Sequence, residues 1–70
     1  MRNHTVSRVY RFEKGSHGRT ILVHRNGLIS TNLDGDSRGW YRWSRHQAAA
    51  YIVATREFGW SIHRQFVSAR

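Results

Sequence analysis

The dipeptide Asn26-Gly27 separates two runs rich in apolar and β-branched residues, RTILVHR over 19–25 and LISTNL over 28–33. A type I′ turn needs positive φ at both central residues, and Asn-Gly supplies this at low cost, so the pair predicts a two-residue hairpin. Such a turn sets Arg25 opposite Leu28, Val23 opposite Ser30 and Ile21 opposite Asn32. Upstream, TVSRVYRFEK predicts a further strand over 5–14, followed by a turn at Gly15-Ser16-His17-Gly18. Side chains alternate along a strand, so one sheet face then carries Val6, Tyr10, Phe12, Ile21, Val23 and Leu28. It holds the aromatic residues and is the expected core face. The opposite face carries Val9, Arg11, Leu22, His24, Ile29, Thr31 and Leu33. That face is half apolar, which calls for cover by a partner, a second copy or the tryptophan segment downstream.

Residues 34–39, DGDSRG, read as a loop, and Trp40 to Trp43 as a short extended piece. Ser44-Arg45-His46-Gln47 has the form of a capping box, so a helix is expected over 45–58. Ala48, Tyr51, Ile52, Thr55 and Phe58 share one helical face, and Gly59 is a natural stop. Trp60 to Val67 alternates again and predicts a last strand. The expected fold is α+β: a small antiparallel sheet, a three-stranded meander plus a C-terminal strand, packed against one helix in the order βββαβ. The whole of 1–70 is expected to be one small basic domain, with residues 1–4 frayed.

A 70-residue chain has a thin core and usually gains support from disulfides, metal or a partner. With no cysteine, disulfides and thiolate zinc sites are excluded, which fits a reducing cytoplasm. No apolar run approaches the roughly 20 residues that span a bilayer, and Met1-Arg2-Asn3-His4 leads into no secretory signal. Twelve Lys+Arg oppose four Asp+Glu, for a net charge of +8. Only Lys14 among the twelve is lysine. Arginine favours planar, bidentate or stacked contacts with phosphates and bases, although a GC-rich coding genome gives the same bias.

The charge is spread along the chain, and in Arg38-Gly39-Trp40-Tyr41-Arg42-Trp43-Ser44-Arg45-His46 arginine and aromatic residues interleave with no acid. Guanidinium groups neutralise phosphates and flat rings stack on bases. The plainer alternative is that Trp40 and Trp43 cap a small core while the arginines solvate its rim. Arg45 and His46 in the first helical turn oppose the helix dipole, a local conflict that an approaching anion would resolve. Arg8 and Arg25 fall on one sheet face, where like charges repel unless an anion bridges them.

Enzyme chemistry finds little footing. The acids Glu13, Asp34, Asp36 and Glu57 form no calcium loop. The histidines His4, His17, His24, His46 and His63 show no paired ligand spacing. No catalytic residue, metal or cofactor is assigned.

In element order, a three-stranded sheet followed by an Ala-rich helix at 48–50, the chain resembles AP2-type and integrase arm-type DNA-binding domains. That layout implies major-groove reading by the sheet. It also resembles the strand-then-helix half of double-stranded RNA-binding domains, without their first helix. The last strand after Gly59 is similar in layout to small phage proteins that block host RNA polymerase or CRISPR complexes. Layout alone does not carry function.

The expectation is a non-enzymatic nucleic-acid-binding domain. Arg38, Arg42, Arg45 and His46 would meet phosphates, Trp40 or Trp43 would stack, and Arg8, Arg19 and Arg25 would extend the footprint along the sheet. The alternative is a phage-type inhibitor of a host protein complex, anchored by Trp40, Tyr41, Trp43 and arginine against an acidic protein surface. A homodimer is a further expected partner, and a membrane is not.

Overall fold

A computed structural model describes residues 6–67. Residues 1–5 and 68–70 lie outside the described residues, and with them the expected frayed end and the strand start at Thr5. The elements are β1 (Val6–Lys14), β2 (His17–His24), β3 (Ile29–Leu33), β4 (Tyr41–Trp43), α1 (Arg45–Glu57) and β5 (Ser61–Phe66). They form one antiparallel sheet in the order β4-β3-β2-β1-β5, with one helix among the described residues. The α+β architecture is the expected one, and the 40–43 piece adds an edge strand to the meander.

The first turn is tighter than expected. Lys14 pairs with His17 across Gly15-Ser16, so His17 and Gly18 belong to β2. Gly15 has φ 61°, and among the described residues no non-glycine residue has positive φ, the arrangement of a II′ hairpin turn.

The second hairpin differs by one residue, and this changes every face beyond it. The His24 amide donates to the Leu28 carbonyl, and the Gly27 amide to the His24 carbonyl. The loop is therefore Arg25-Asn26-Gly27, with only Gly27 left-handed at φ 94°. Val23 faces Ile29, Leu22 faces Ser30 and Ile21 faces Thr31. The two-residue register would have turned Ser30 and Asn32 toward the core and Ile29 away from it. The observed register buries Ile29 and Thr31 and leaves Leu28 off the core face. A bulge between Val6 and Arg8 makes a second correction: Val6 pairs with His24 and so leaves the face that holds Tyr10 and Phe12. The opposite face carries Val6, Val9 and Leu22 in the paired register, all half-buried, and not Ile29 or Leu33. The argument for a partner or dimer covering Ile29 and Leu33 there falls away.

The core is Phe12, Ile21, Ile29 and Ala48, flanked by Tyr10, Val23, Trp43, Tyr51, Ile52, Trp60 and Ile62. Phe12 is fully buried, and its ring meets Tyr51 edge-on at 5.0 Å. Tyr51 is the hub: it also meets Trp43 at 5.3 Å and Trp60 at 6.4 Å. Phe58, expected on the inward face of the helix, is instead the C-cap and is 69% exposed. The helix ends because Gly59 takes φ 82°. Lys14 Nζ donates to the Phe58 carbonyl at 2.6 Å, placing a cation at the negative end of the dipole.

The capping box is complete. Gln47 N–H donates to Ser44 Oγ at 3.1 Å, and Ser44 N–H donates to Gln47 Oε1 at 2.9 Å. Replacing Ser44 with alanine should therefore cost about 1 kcal/mol, or some 4–8 °C in Tm for a domain of this size. Thermal unfolding followed by circular dichroism checks this, and an unchanged Tm would mean the cap contributes nothing to the fold.

Candidate functional site

The 38–46 stretch is divided among three environments. Arg38 folds back on its own loop. Its Nε lies 3.2 Å from Asp36 Oδ1, its amide donates to the same carboxylate at 2.8 Å, and its guanidinium sits 5.8 Å from the Tyr41 ring centre. The Tyr41 hydroxyl donates to Asp36 Oδ2 at 3.2 Å. Arg42 pairs with Ser30 and points to the open sheet face, away from the helix. Trp43, paired with Ile29, turns toward the helix and packs on Tyr51. Trp40 stays 52% exposed and Tyr41 39% exposed. The structure thus separates the two tryptophans: Trp43 belongs to the core, and Trp40 to the surface.

Arg19, expected in the binding footprint, is built into the packing. Its guanidinium lies over Trp43 at 4.8 Å and over Tyr51 at 5.1 Å, and Nη1 donates to Thr31 Oγ1 at 2.7 Å. Thr31, fully buried, passes its own proton to the Thr20 carbonyl at 3.1 Å. Two aromatic faces and a buried hydroxyl hold this cation in place.

On the open sheet face the main cation is neutralised. Arg11 makes a two-pronged pair with Asp34, Nη1 to Oδ1 at 2.9 Å and Nη2 to Oδ2, and its Nε reaches Glu13 at 3.4 Å. Nη1 also donates to Thr20 at 2.9 Å. The pair crosses directly over Gly18, where a Cβ would collide with both Arg11 Nη2 and Asp34 Oδ2. Gly18 is therefore a mid-strand glycine that lets a salt bridge lie flat on the sheet, and not the turn residue expected from its neighbours.

The unpaired cations gather elsewhere. The helix leaves β4 beside the β2–β3 turn and reaches β5 beside the β1–β2 turn, so it crosses the sheet diagonally. The crossing leaves one corner of the helix-side face open, over β2, β1 and β5. A cavity of about 420 Å³ lies there, between α1 and the sheet. Arg8 from β1, Arg25 from the β2–β3 turn and Arg45 from the start of α1 all line it. Its apolar walls include Ile21, Val23, Ile29, Ala48, Ala49 and Ile52. A second cavity of about 410 Å³ adjoins it, sharing Tyr10 and Ile52 and lined further by Arg56, Trp60, Ile62 and Arg64. No acidic residue lines either one. Among the described residues, no carboxylate pairs with Arg8, Arg25, Arg45, Arg56 or Arg64. Arg8 donates to the Tyr10 hydroxyl at 3.4 Å, and Arg64 lies 5.1 Å from the exposed Phe66 ring. The first helical turn contains no acid, and His46 is exposed there.

Three sequence-expected residues, Arg8, Arg25 and Arg45, are thus brought to one place. Arg38, Trp43 and Arg19 are engaged internally, and Arg42 is on the other face. Arg56 and Arg64 were missed. Arg45, Ala49, Ile52 and Arg56 do fall on one helical stripe, which marks half of the groove. The other half depends on the crossing direction of the helix. Among the described residues no group of three or more His, Cys, Asp or Glu side chains could hold a metal ion. Among the described residues no helix is long and apolar enough to cross a membrane. No protein-family model, curated protein or solved structure matches the chain.

The salt bridge over Gly18 makes a testable signature in acid. The Arg11 hydrogen bond holds the Asp34 carboxyl below its ordinary 3.8. A group whose pKa falls on folding stabilises the fold above its unfolded value. That stability is lost as pH drops through the folded value, here below about 3.8. Asp34→Asn should remove part of the acid dependence of the urea midpoint between about pH 5 and pH 2. Gly18→Ala should do the same by pushing the pair apart, and the two changes together should be less than additive. Full additivity would mean that Gly18 and the pair act independently.

Proposed function

We propose that this chain is a small non-enzymatic nucleic-acid-binding domain whose contact surface is the arginine-lined flank of α1. The supporting observation is that Arg8, Arg25 and Arg45, from three separate elements, line one cavity with no acid beside them. Bringing three cations together without a counter-charge raises the energy of the free protein, and a phosphate backbone relieves it. Arg56 and Arg64 continue the same surface along the helix. The dipole at the start of α1 adds to the attraction for an anion.

This reading places the contact on the helix side. AP2-type reading would use the open sheet face, where Arg11 is already tied to Asp34 and Glu13. A protein interface is the second reading, favoured by the corner of β3 and β4, where Trp40, Tyr41 and Leu33 are 52%, 39% and 38% exposed. Aromatic residues of this kind anchor protein contacts.

Salt dependence separates the two. Log K for duplex DNA should fall with log salt by about 0.9 per phosphate neutralised. Arg8→Ala and Arg45→Ala should each flatten the slope by about one unit. Arg38→Ala should leave it unchanged, because Arg38 is held by Asp36. Fluorescence anisotropy titrations over a salt series measure this. Binding weaker than roughly 10⁻⁴ M near physiological salt would refute the reading and favour a protein partner docked at Trp40 and Tyr41.

A further inference from the structure

We infer that the two adjoining cavities seat successive unpaired nucleotides, so that the preferred ligand is a single strand with bases turned inward. The inference rests on the nucleic-acid reading above and adds the form of the ligand. Phosphate recognition alone needs only the arginines. It gives no use to the apolar floor behind them, which Val23, Ile29 and Ile52 form in the first cavity. The second cavity repeats the combination, with Trp60 and Ile62 as apolar walls and Arg56 and Arg64 as cations. Each chamber, at about 420 and 410 Å³, falls within the size range of small-molecule pockets, roughly 300–1,000 Å³.

A nucleotide has the matching division, a flat, largely apolar base joined to a charged phosphate. Consecutive nucleotides repeat it, as the two chambers do. Tyr10 stands between them and lines both, so its half-buried ring is placed to stack on a base entering either side. A duplex presents phosphates outward and keeps its bases paired. It can touch the arginine rim, but it fills neither chamber without unpairing and extruding a base. The geometry therefore favours the unpaired strand.

The test compares a short single-stranded oligodeoxynucleotide, the RNA strand of the same sequence and the duplex of the DNA strand with its complement, at matched salt. At least one single strand should bind tighter than the duplex by about 5- to 140-fold, the range that stacking one base carries. The better strand identifies the sugar. Ala49 lines the first cavity and is exposed, so Ala49→Trp plugs the chamber without changing charge. It should abolish most of the single-strand preference, because the indole fills the chamber while the arginine rim keeps its charge. In the unaltered protein, methyl resonances of Val23 and Ile52 should shift on adding the strand, while those of Val53, 55% exposed, should not. The methyl experiment decides the matter if the Ala49 variant does not fold. Equal affinity for strand and duplex, with the slopes still set by Arg8 and Arg45, would overturn the inference and leave the nucleic-acid reading standing. Shifts confined to Val53 would overturn it as well. Absence of binding to every probe would remove both.

Discussion

The left-handed φ of Gly27 sets the register on which the sheet depends. A three-residue loop needs one positive φ, and glycine supplies it at 94° while Asn26 stays right-handed. The Asn26 side chain helps by accepting the Leu28 amide at 3.1 Å. From this one-residue choice the rest of the face pattern follows. Ile29 and Thr31 join Ile21 and Val23 beneath the helix. β4 then pairs Trp43 with Ile29 and Tyr41 with Thr31, which sends Arg42 to the opposite face. A two-residue loop would have reversed all of these. Ile29→Ala in such a core is worth about 2–5 kcal/mol, against a total of about 4–10 kcal/mol for a 70-residue chain. The burial of Ile29 therefore outweighs the preference of Asn-Gly for a I′ turn.

Much of the fold is legible in the sequence because its local signals agree. Alternation in VSRVYRF, the Ser44–Gln47 capping box and the Gly59 stop each mark an element that forms where expected. The hairpin register was misread because two signals conflict at Asn26-Gly27. The turn chemistry favours two residues, while the alternation Ile29, Thr31, Leu33 against Ser30, Asn32 favours three. Alternation is a property of the whole strand and controls more burial. Gly18 was misread for a different reason. Its role comes from Asp34, sixteen positions away in the chain by residue number, and nothing local announces a salt bridge crossing a strand.

The candidate site was only half legible. A cluster of arginine and tryptophan in sequence is spread over two faces and a loop when strand alternation is applied to it. Arg42 and Trp43 are neighbours in sequence and point in opposite directions. Conversely, Arg8, Arg25 and Arg45 are far apart in sequence and meet at one cavity. They meet where the Gly27 loop, the start of the diagonal helix and β1 come to one corner, beside the bulge at Ser7. The Ser7 hydroxyl bonds the Val23 carbonyl at 3.1 Å and its carbonyl accepts the Val67 amide at 2.9 Å, so the bulge ties three strands at this corner.

The placement of the acids gives the charge distribution its meaning. Asp34 and Glu13 flank Arg11 on the open face, and Asp36 holds Arg38 in the loop. Arg19 is held instead by the rings of Trp43 and Tyr51. In each case the cation is fixed by a defined partner. Among the described residues the cavity arginines have no carboxylate partner, and they sit where the diagonal helix leaves apolar wall exposed. Solvation of a generic charged surface would not require that coincidence: charges serving only solubility are interspersed with acids and need no concave apolar backing. Two features the fold could have kept apart, counter-charge deficit and apolar concavity, fall at the same corner. A ligand that is anionic along one edge and apolar along the other satisfies both at once.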